Sequence, residues 1–307
     1  MGDCYTGMKD RIRGALLGAM VGDALGRPFE GTPAGDLARL REAIGRRVNC
    51  PRAWGHTDDA EMTLSVAESL LTARGIDEGH VLEMLYANHD PARGYGKGTL
   101  ASFRVWRESG SWERASRALW EEGSRGNGAA VRVAPVALYF RDAPLDAMLV
   151  AARRSAVPTH AHVEAIDGAA VIALATWFAL REQEPGDVMA KVKEHAPGSF
   201  QELVSLALAM RTHGPDDAIR RLGHGVWAVE SVPAALWAYA RTSTFSEAVV
   251  EAVALGGDTD SIGAMTGAIA GATYGASAIP PAWFDALEED SLRKAIRLAD
   301  GFLRRAD

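Results

Sequence analysis

Two rows of glycine at four-residue spacing constrain this chain more than any other feature. Gly14, Gly18, Gly22 and Gly26 form one row, and Gly263, Gly267, Gly271 and Gly275 the other. Both rows lie in apolar stretches, and a glycine inside a helix costs up to about 1 kcal/mol relative to alanine. Residues four apart share one helix face, so each row strips a stripe of side chains and lets another backbone come close. The rows predict two central, tightly packed helices, each a candidate partner for the other.

The rest of the chain has the same period. Apolar residues recur at three and four positions over 11–25, 59–73, 78–87, 112–122, 163–180, 200–210, 246–254 and 292–304. Convincing alternating strands are absent, and Pro and Gly punctuate the connections, as at Pro91, Gly94, Pro197 and Gly198. No low-complexity linker marks a boundary. With 307 residues, 48% of them hydrophobic, the chain has material for a large core. The expectation is one all-α domain over residues 1–307.

A net charge of −7 and the lack of any Lys/Arg block argue against a nucleic-acid or anionic-membrane surface. A small phosphate-bearing molecule stays compatible, because helix ends and metal ions hold phosphate without net basicity. Cys4 and Cys50 make neither a disulfide framework nor a zinc spacing, so both are expected as free thiols in a reducing compartment. The uncharged stretch 262–281 is rich in Gly, Ala, Ser and Thr, which suits a buried helix better than a membrane span. The N-terminus carries no leader pattern. A cytoplasmic monomer is expected.

Two acidic clusters carry the chemistry: His56-Thr57-Asp58-Asp59 and Asp258-Thr259-Asp260-Ser261. Each sits where an apolar helix begins, so each reads as an N-cap favoured by the helix dipole. Each also offers carboxylates and a hydroxyl on a rigid helix start, the oxygen donors that hard divalent cations take. Between them lies Gly126-Asn127-Gly128-Ala129-Ala130, a Gly-rich turn whose amides suit phosphate, or a simple Asn-Gly turn. His160 and His162, in Thr159-His160-Ala161-His162, lack a third zinc ligand at suitable spacing and instead line a pocket or cap the following helix. Asp23 lies within an apolar helix and needs a partner if buried, whereas Glu30 follows Pro28 and Phe29 in a loop. The His89-Asp90 pair has no further His/Asp set around it and carries no metal reading.

In this order the motifs resemble the ADP-ribosylglycohydrolases of the dinitrogenase-reductase-activating glycohydrolase type. The likeness runs from Arg13-Gly14-Ala15-Leu16-Leu17-Gly18 and Gly22-Asp23-Ala24-Leu25-Gly26 through His56-Thr57-Asp58-Asp59, Gly126-Asn127-Gly128 and Thr159-His160-Ala161-His162. It ends in Gly256-Gly257-Asp258-Thr259-Asp260-Ser261-Ile262-Gly263-Ala264-Met265, its most specific stretch. The resemblance implies an orthogonal multi-helix, all-α bundle with a central dimetal cleft holding two magnesium ions, with manganese as the alternative. It implies Thr57, Asp58, Asp59, Asp258, Asp260 and Ser261 as metal ligands, with Ser261 standing where many members have threonine. Glu30 falls where some members place a catalytic glutamate and others have none. Asp59 and Asp258 are the other residues expected to act in catalysis.

The activity implied is magnesium-dependent hydrolysis of the glycosidic bond between ADP-ribose and a protein side chain or small acceptor. The substrate partner is then ADP-ribose or an ADP-ribosylated protein, met by Gly126, Asn127, Gly128, Ala129, Ala130, His160 and His162. Trp54 and Tyr95 are candidate platforms for the adenine. The alternatives are a catalytically silent ADP-ribose- or nucleotide-binding protein and a hydrolase of another ribosyl metabolite.

Overall fold

The two glycine rows pack on each other. In the computed structural model, which describes residues 2–304 and their side chains apart from those of 2–6 and 34, helix Gly2–Gly26 lies along helix Thr259–Tyr274. Gly14 faces Gly271, Gly18 faces Gly267, Gly22 faces Gly263 and Gly26 faces Thr259, so the pair is antiparallel. A Cβ on any of these glycines would fall under 3.0 Å from a carbonyl oxygen of the opposite helix. Gly275 departs from its row. It ends the helix at φ +84°, where a side chain would meet Asp10, so it serves termination rather than packing.

The glycine pair is buried on every side. Helices Val163–Ala179, Ala228–Ala240 and Phe245–Val253 pack against Thr259–Tyr274, and Glu289–Arg304 lies along Gly2–Gly26, where Arg13 pairs with Asp300 at 2.8 Å. One apolar core runs through all of these from Ile12 to Leu303. Among the described residues there is no β-strand, and the protein is all-α. No helix among them is long and apolar enough to cross a membrane. Cys50 is exposed and free, whereas the expectation for Cys4 falls outside the described side chains.

The helical expectations hold to within a few residues except over 11–25, where the helix begins already at Gly2, and over 112–122. Over 112–122 the helix stops at Trp112–Ala115, because the next amides, Arg117 and Ala118, bond only three residues back, to the Arg114 and Ala115 carbonyls at 3.3 and 3.1 Å, and the chain turns. Leu119 and Trp120, which supplied the apolar recurrence, are left exposed rather than facing core.

Three isolated backbone bridges pin loops to helix ends: Thr32 to Gly257, Trp54 to Leu287 and Gly126 to Trp227. The loops of Thr32 and Gly126 border one cleft, lined by Glu30 and Gly126, whereas Ala53, Gly55 and Leu287 line a separate hollow.

Candidate active site

The last turn of Gly2–Gly26 organises the cleft floor. Asp23, fully buried, accepts the Thr57 amide at 2.9 Å and the Ala60 amide at 2.9 Å, so it caps helix Asp58–Ala73 from outside. Three residues on, the Gly26 carbonyl accepts the Thr259 hydroxyl at 2.9 Å. One helix end thus holds both acidic segments. They meet directly where Ser261 Oγ donates to Asp59 Oδ2 at 2.7 Å.

The two helix starts are built differently. Thr57 Oγ1 accepts the Asp59 amide at 3.2 Å, an ordinary N-cap. Asp258 makes no such cap bond; its carboxylate instead accepts from Asn127 Nδ2 at 2.5 Å. The turn before it needs both glycines. Gly256 and Gly257 have φ of +71° and +67°, and side chains there would strike the Thr32 and His224 carbonyls.

Glu30 arrives on the same turn from the other side. The Gly31 amide donates to the Gly257 carbonyl, and the Gly257 amide to the Thr32 carbonyl, each at 2.8 Å. Carboxylate oxygens of Glu30, Asp258 and Asp260 consequently lie within 4.8 Å of one another. Thr57, Asp58 and Asp59 line the same cleft but stand outside that tightest group.

Burial and mutual repulsion keep these carboxyls from ionising as they do in water. Burial and Asp260 push Asp23 up to about 7, and burial and Asp23 push Asp58 up to about 7. Burial and Asp258 raise Asp260 to about 8. Asp59 lies well above the usual carboxylate range, through burial and Asp58, and burial raises Asp258 against the Asn127 bond. Asp260 Oδ1 is buried without a hydrogen-bond partner among the described residues. An all-oxygen donor set with an orphaned carboxylate oxygen and too much negative charge fits a hard divalent cation.

The cleft, about 290 Å³, has Gly126, Asn127, Gly128 and His160 on its opposite wall. Ala129 and Ala130 lie buried behind that wall. The Ala130 amide is bound to the Asn127 carbonyl at 2.7 Å, the Asn127 amide to Val226 and the Gly126 amide to Ser124 Oγ. Among the described residues, the Gly128 and Ala129 amides alone in that turn have no protein acceptor, which corrects the expectation of five cradle residues. His162 is a further correction. Its Nδ1 accepts the Glu164 amide at 3.2 Å, capping Val163–Ala179, and it does not line the cleft.

Neither expected aromatic platform is available. Trp54 is fully buried against Trp283, and Tyr95 is 8% exposed, packed on His89 and Phe103, with its hydroxyl on Glu61. The cleft's exposed aromatic is Trp120, which is 41% accessible with Lys97 over its ring. The sequence signal for it was an aromatic shortly before the Gly-rich turn, masked by its helix-like spacing.

Fold and site define an all-α protein with a carboxylate-floored cleft walled by a Gly-rich turn. The chain belongs to the ADP-ribosylglycohydrolase family, whose model matches residues 5–307. It is 31% identical to the ADP-ribosylhydrolase ARH3 of Bos taurus, over 91% of this chain and 88% of that one. It is 28% identical to the ADP-ribosylarginine hydrolase Tri1 of Pseudomonas putida, over 90% and 74%. A solved ADP-ribosylglycohydrolase-related protein complex superposes with TM-score 0.78 at 30% identity, covering 98% of this chain and all of that one.

Proposed function

We propose that this protein is a magnesium-dependent ADP-ribosyl hydrolase, cleaving the glycosidic bond between ADP-ribose and a protein side chain or small acceptor. The observation that carries the reading is the meeting of Asp59, Asp258, Asp260 and Glu30 opposite a turn with two unbonded amides. Thr57, Asp58, Asp59, Asp258, Asp260 and Ser261 would hold two Mg²⁺, with Mn²⁺ as the alternative, since all offer hard oxygen donors. Bound there, the cations supply polarisation of ribose oxygens and activation of water.

The chain's own residues do the rest. The Gly128 and Ala129 amides hold the diphosphate. Trp120 offers its ring face to the adenine. Asn127 fixes the Asp258 carboxylate, so that this oxygen cannot swing away from the sugar. Glu30, exposed at the cleft mouth, gives a proton to the leaving group or takes one from the attacking water as the ribose passes through an oxocarbenium-like state. Asp59 and Asp258 orient the attacking water. A single domain over 1–307 is part of the proposal, supported by the continuity of the core.

The test is hydrolysis of a panel of serine- and arginine-linked ADP-ribosyl peptides and small ADP-ribosyl esters, with magnesium and with EDTA. Asp260→Asn is expected to abolish turnover while the protein stays folded. Full activity in that variant, or turnover of no ADP-ribosyl compound, would remove the reading. Retained ADP-ribose binding without turnover would indicate a silent binding protein.

A further inference from the structure

Behind the Gly-rich turn lies a charged group that the proposed chemistry leaves unused. Arg132 is fully buried. Its Nη1 donates to the Gly128 carbonyl at 3.3 Å, and its Nη2 donates to Thr159 Oγ1 at 2.8 Å. The Thr159 hydroxyl in turn lies 2.7 Å from His160 Nδ1. Thr159 and His160 are both buried.

Donor and acceptor roles in this chain are forced. A guanidinium only donates, so Thr159 Oγ1 must accept from Arg132. The threonine keeps one proton of its own. Among the described residues the acceptor within its reach is His160 Nδ1. Were Nδ1 protonated instead, it would donate to Oγ1, and the threonine proton would be stranded in a buried place, at a cost of about 1–3 kcal/mol. Nδ1 is therefore the acceptor, and the ring proton sits on Nε2.

Among the described residues that second nitrogen has no hydrogen-bond partner. His160 lines the cleft with its Nε2 edge beside Gly126 and Gly128; a Cβ at Gly128 would crowd the ring, 3.2 Å from Cε1, whereas one at Gly126 would sit in ordinary contact, 3.5 Å from Nε2. Burial and the Arg132 charge push the imidazole down to about 3, so the ring stays neutral wherever the protein works. A neutral Nε2–H beside Gly126 and Gly128 adds a side-chain donor to that wall of the cleft.

We propose that Arg132 and Thr159 are positioning residues that lock His160 in its Nε2–H tautomer, so that the ring offers the cleft one fixed hydrogen-bond donor for a phosphate or ribose oxygen. The inference rests on the ADP-ribose reading for its ligand, but not for the lock itself. A donor fixed in this way favours a ligand presenting an acceptor oxygen and penalises one presenting a hydroxyl or amine there, because two donors would then face each other.

The lock is read directly from long-range proton–nitrogen NMR spectra of the whole protein labelled with ¹⁵N-histidine. The expected result is a His160 Nδ1 shift of the unprotonated kind with a protonated Nε2, unchanged through the neutral range. Thr159→Val is expected to mix the tautomers and to raise KM for an ADP-ribosyl peptide by about tenfold, the size of one hydrogen bond to a charged ligand, with a smaller change in kcat. Thr159→Ser is expected to restore both.

A His160 Nδ1–H tautomer in the unaltered protein overturns the proposal, as does a Thr159→Val variant with unchanged tautomer and KM. If that variant does not fold, the unaltered protein's spectrum and the Thr159→Ser variant still decide. If no ADP-ribosyl compound is cleaved, the functional reading falls while the spectra still report on the lock.

Discussion

Ser261 Oγ donates to Asp59 Oδ2 across 2.7 Å, although 202 residues separate them in the chain. This bond ties the starts of two helices, and it fixes one oxygen of each acidic cluster relative to the other. Metal sites depend on such fixing as much as on the ligands themselves. Ser261→Ala is therefore expected to weaken magnesium affinity by about 10- to 100-fold while the helical circular dichroism stays unchanged. Ser261→Thr, which keeps the hydroxyl, should retain affinity. A magnesium titration of activity and isothermal titration of the metal alone distinguish the two, and equal affinities for all three proteins would dismiss the bond as incidental.

The external cap on the second helix makes a separate prediction about stability. Asp23→Ala leaves the Thr57 and Ala60 amides without their buried acceptor, a loss of about 1–3 kcal/mol for each orphaned donor. Asp23→Asn keeps an oxygen in position and removes a buried carboxyl repelled by Asp260. Urea unfolding without metal should show Asp23→Ala clearly less stable and Asp23→Asn close to the parent. The reverse order would mean that the charge, not the cap, is what Asp23 contributes.

Much of this architecture was legible in the sequence, and the reasons are local. The spacing of Gly14, Gly18 and Gly22 already required a bare helix face, and the structure supplies the mirrored face at Gly271, Gly267 and Gly263. Thr57 reads correctly as a cap because capping is a matter of adjacent residues. What stayed hidden depends on distant partners. Nothing near Asp258 in sequence says that Asn127 will claim its carboxylate, or that the Gly256–Gly257 turn will be pinned to Thr32. Tyr95, between Gly94 and Gly96, and Trp54, just before the first acidic cluster, read as candidate platforms, yet burial against Phe103 and Trp283 was decided by other elements. His160 and His162 share one motif and part ways only because a helix begins between them and Glu164.

The glycine contact sets a stringent limit on substitution. At Gly18 and Gly267 even a single Cβ would fall under 3.0 Å from backbone, which no rotamer change relieves. Gly267→Leu and Gly18→Leu should each destabilise the protein by about 1–3 kcal/mol or more, since overpacking must push two helices apart. Gly7, with open space around it in the same helix, is the control: Gly7→Ala should not lower the unfolding midpoint and should raise it slightly, since alanine suits a helix better. Denaturant melts of the three variants settle the matter, and an unchanged midpoint in Gly267→Leu would contradict the packing described.

Glu30 differs from the aspartates because it is exposed and sits on a loop rather than a helix start. A group that handles a proton should act on rate and leave ground-state binding nearly alone. Glu30→Gln is expected to lower kcat by about 10²- to 10⁴-fold with little change in ADP-ribose affinity. Equal loss of both would make Glu30 a ligand of the cations, consistent with its closeness to Asp258 and Asp260, rather than a proton carrier.

The crowding of carboxyls also sets how stability depends on pH. Without a cation, Asp23 and Asp58 hold protons up to about 7 and Asp260 up to about 8, whereas in the unfolded chain such groups release them near about 4. Between those limits the folded state binds more protons than the unfolded one, so metal-free stability falls as pH rises through the window. A divalent cation takes the place of those protons, and its stabilising effect should grow over the same range. Melting temperatures in EDTA and in magnesium should therefore lie close together at the acidic end and separate progressively towards pH about 8. Curves that stay superimposed at the alkaline end would show that these carboxylates do not bind the cation, and the cleft would need another explanation for its charge.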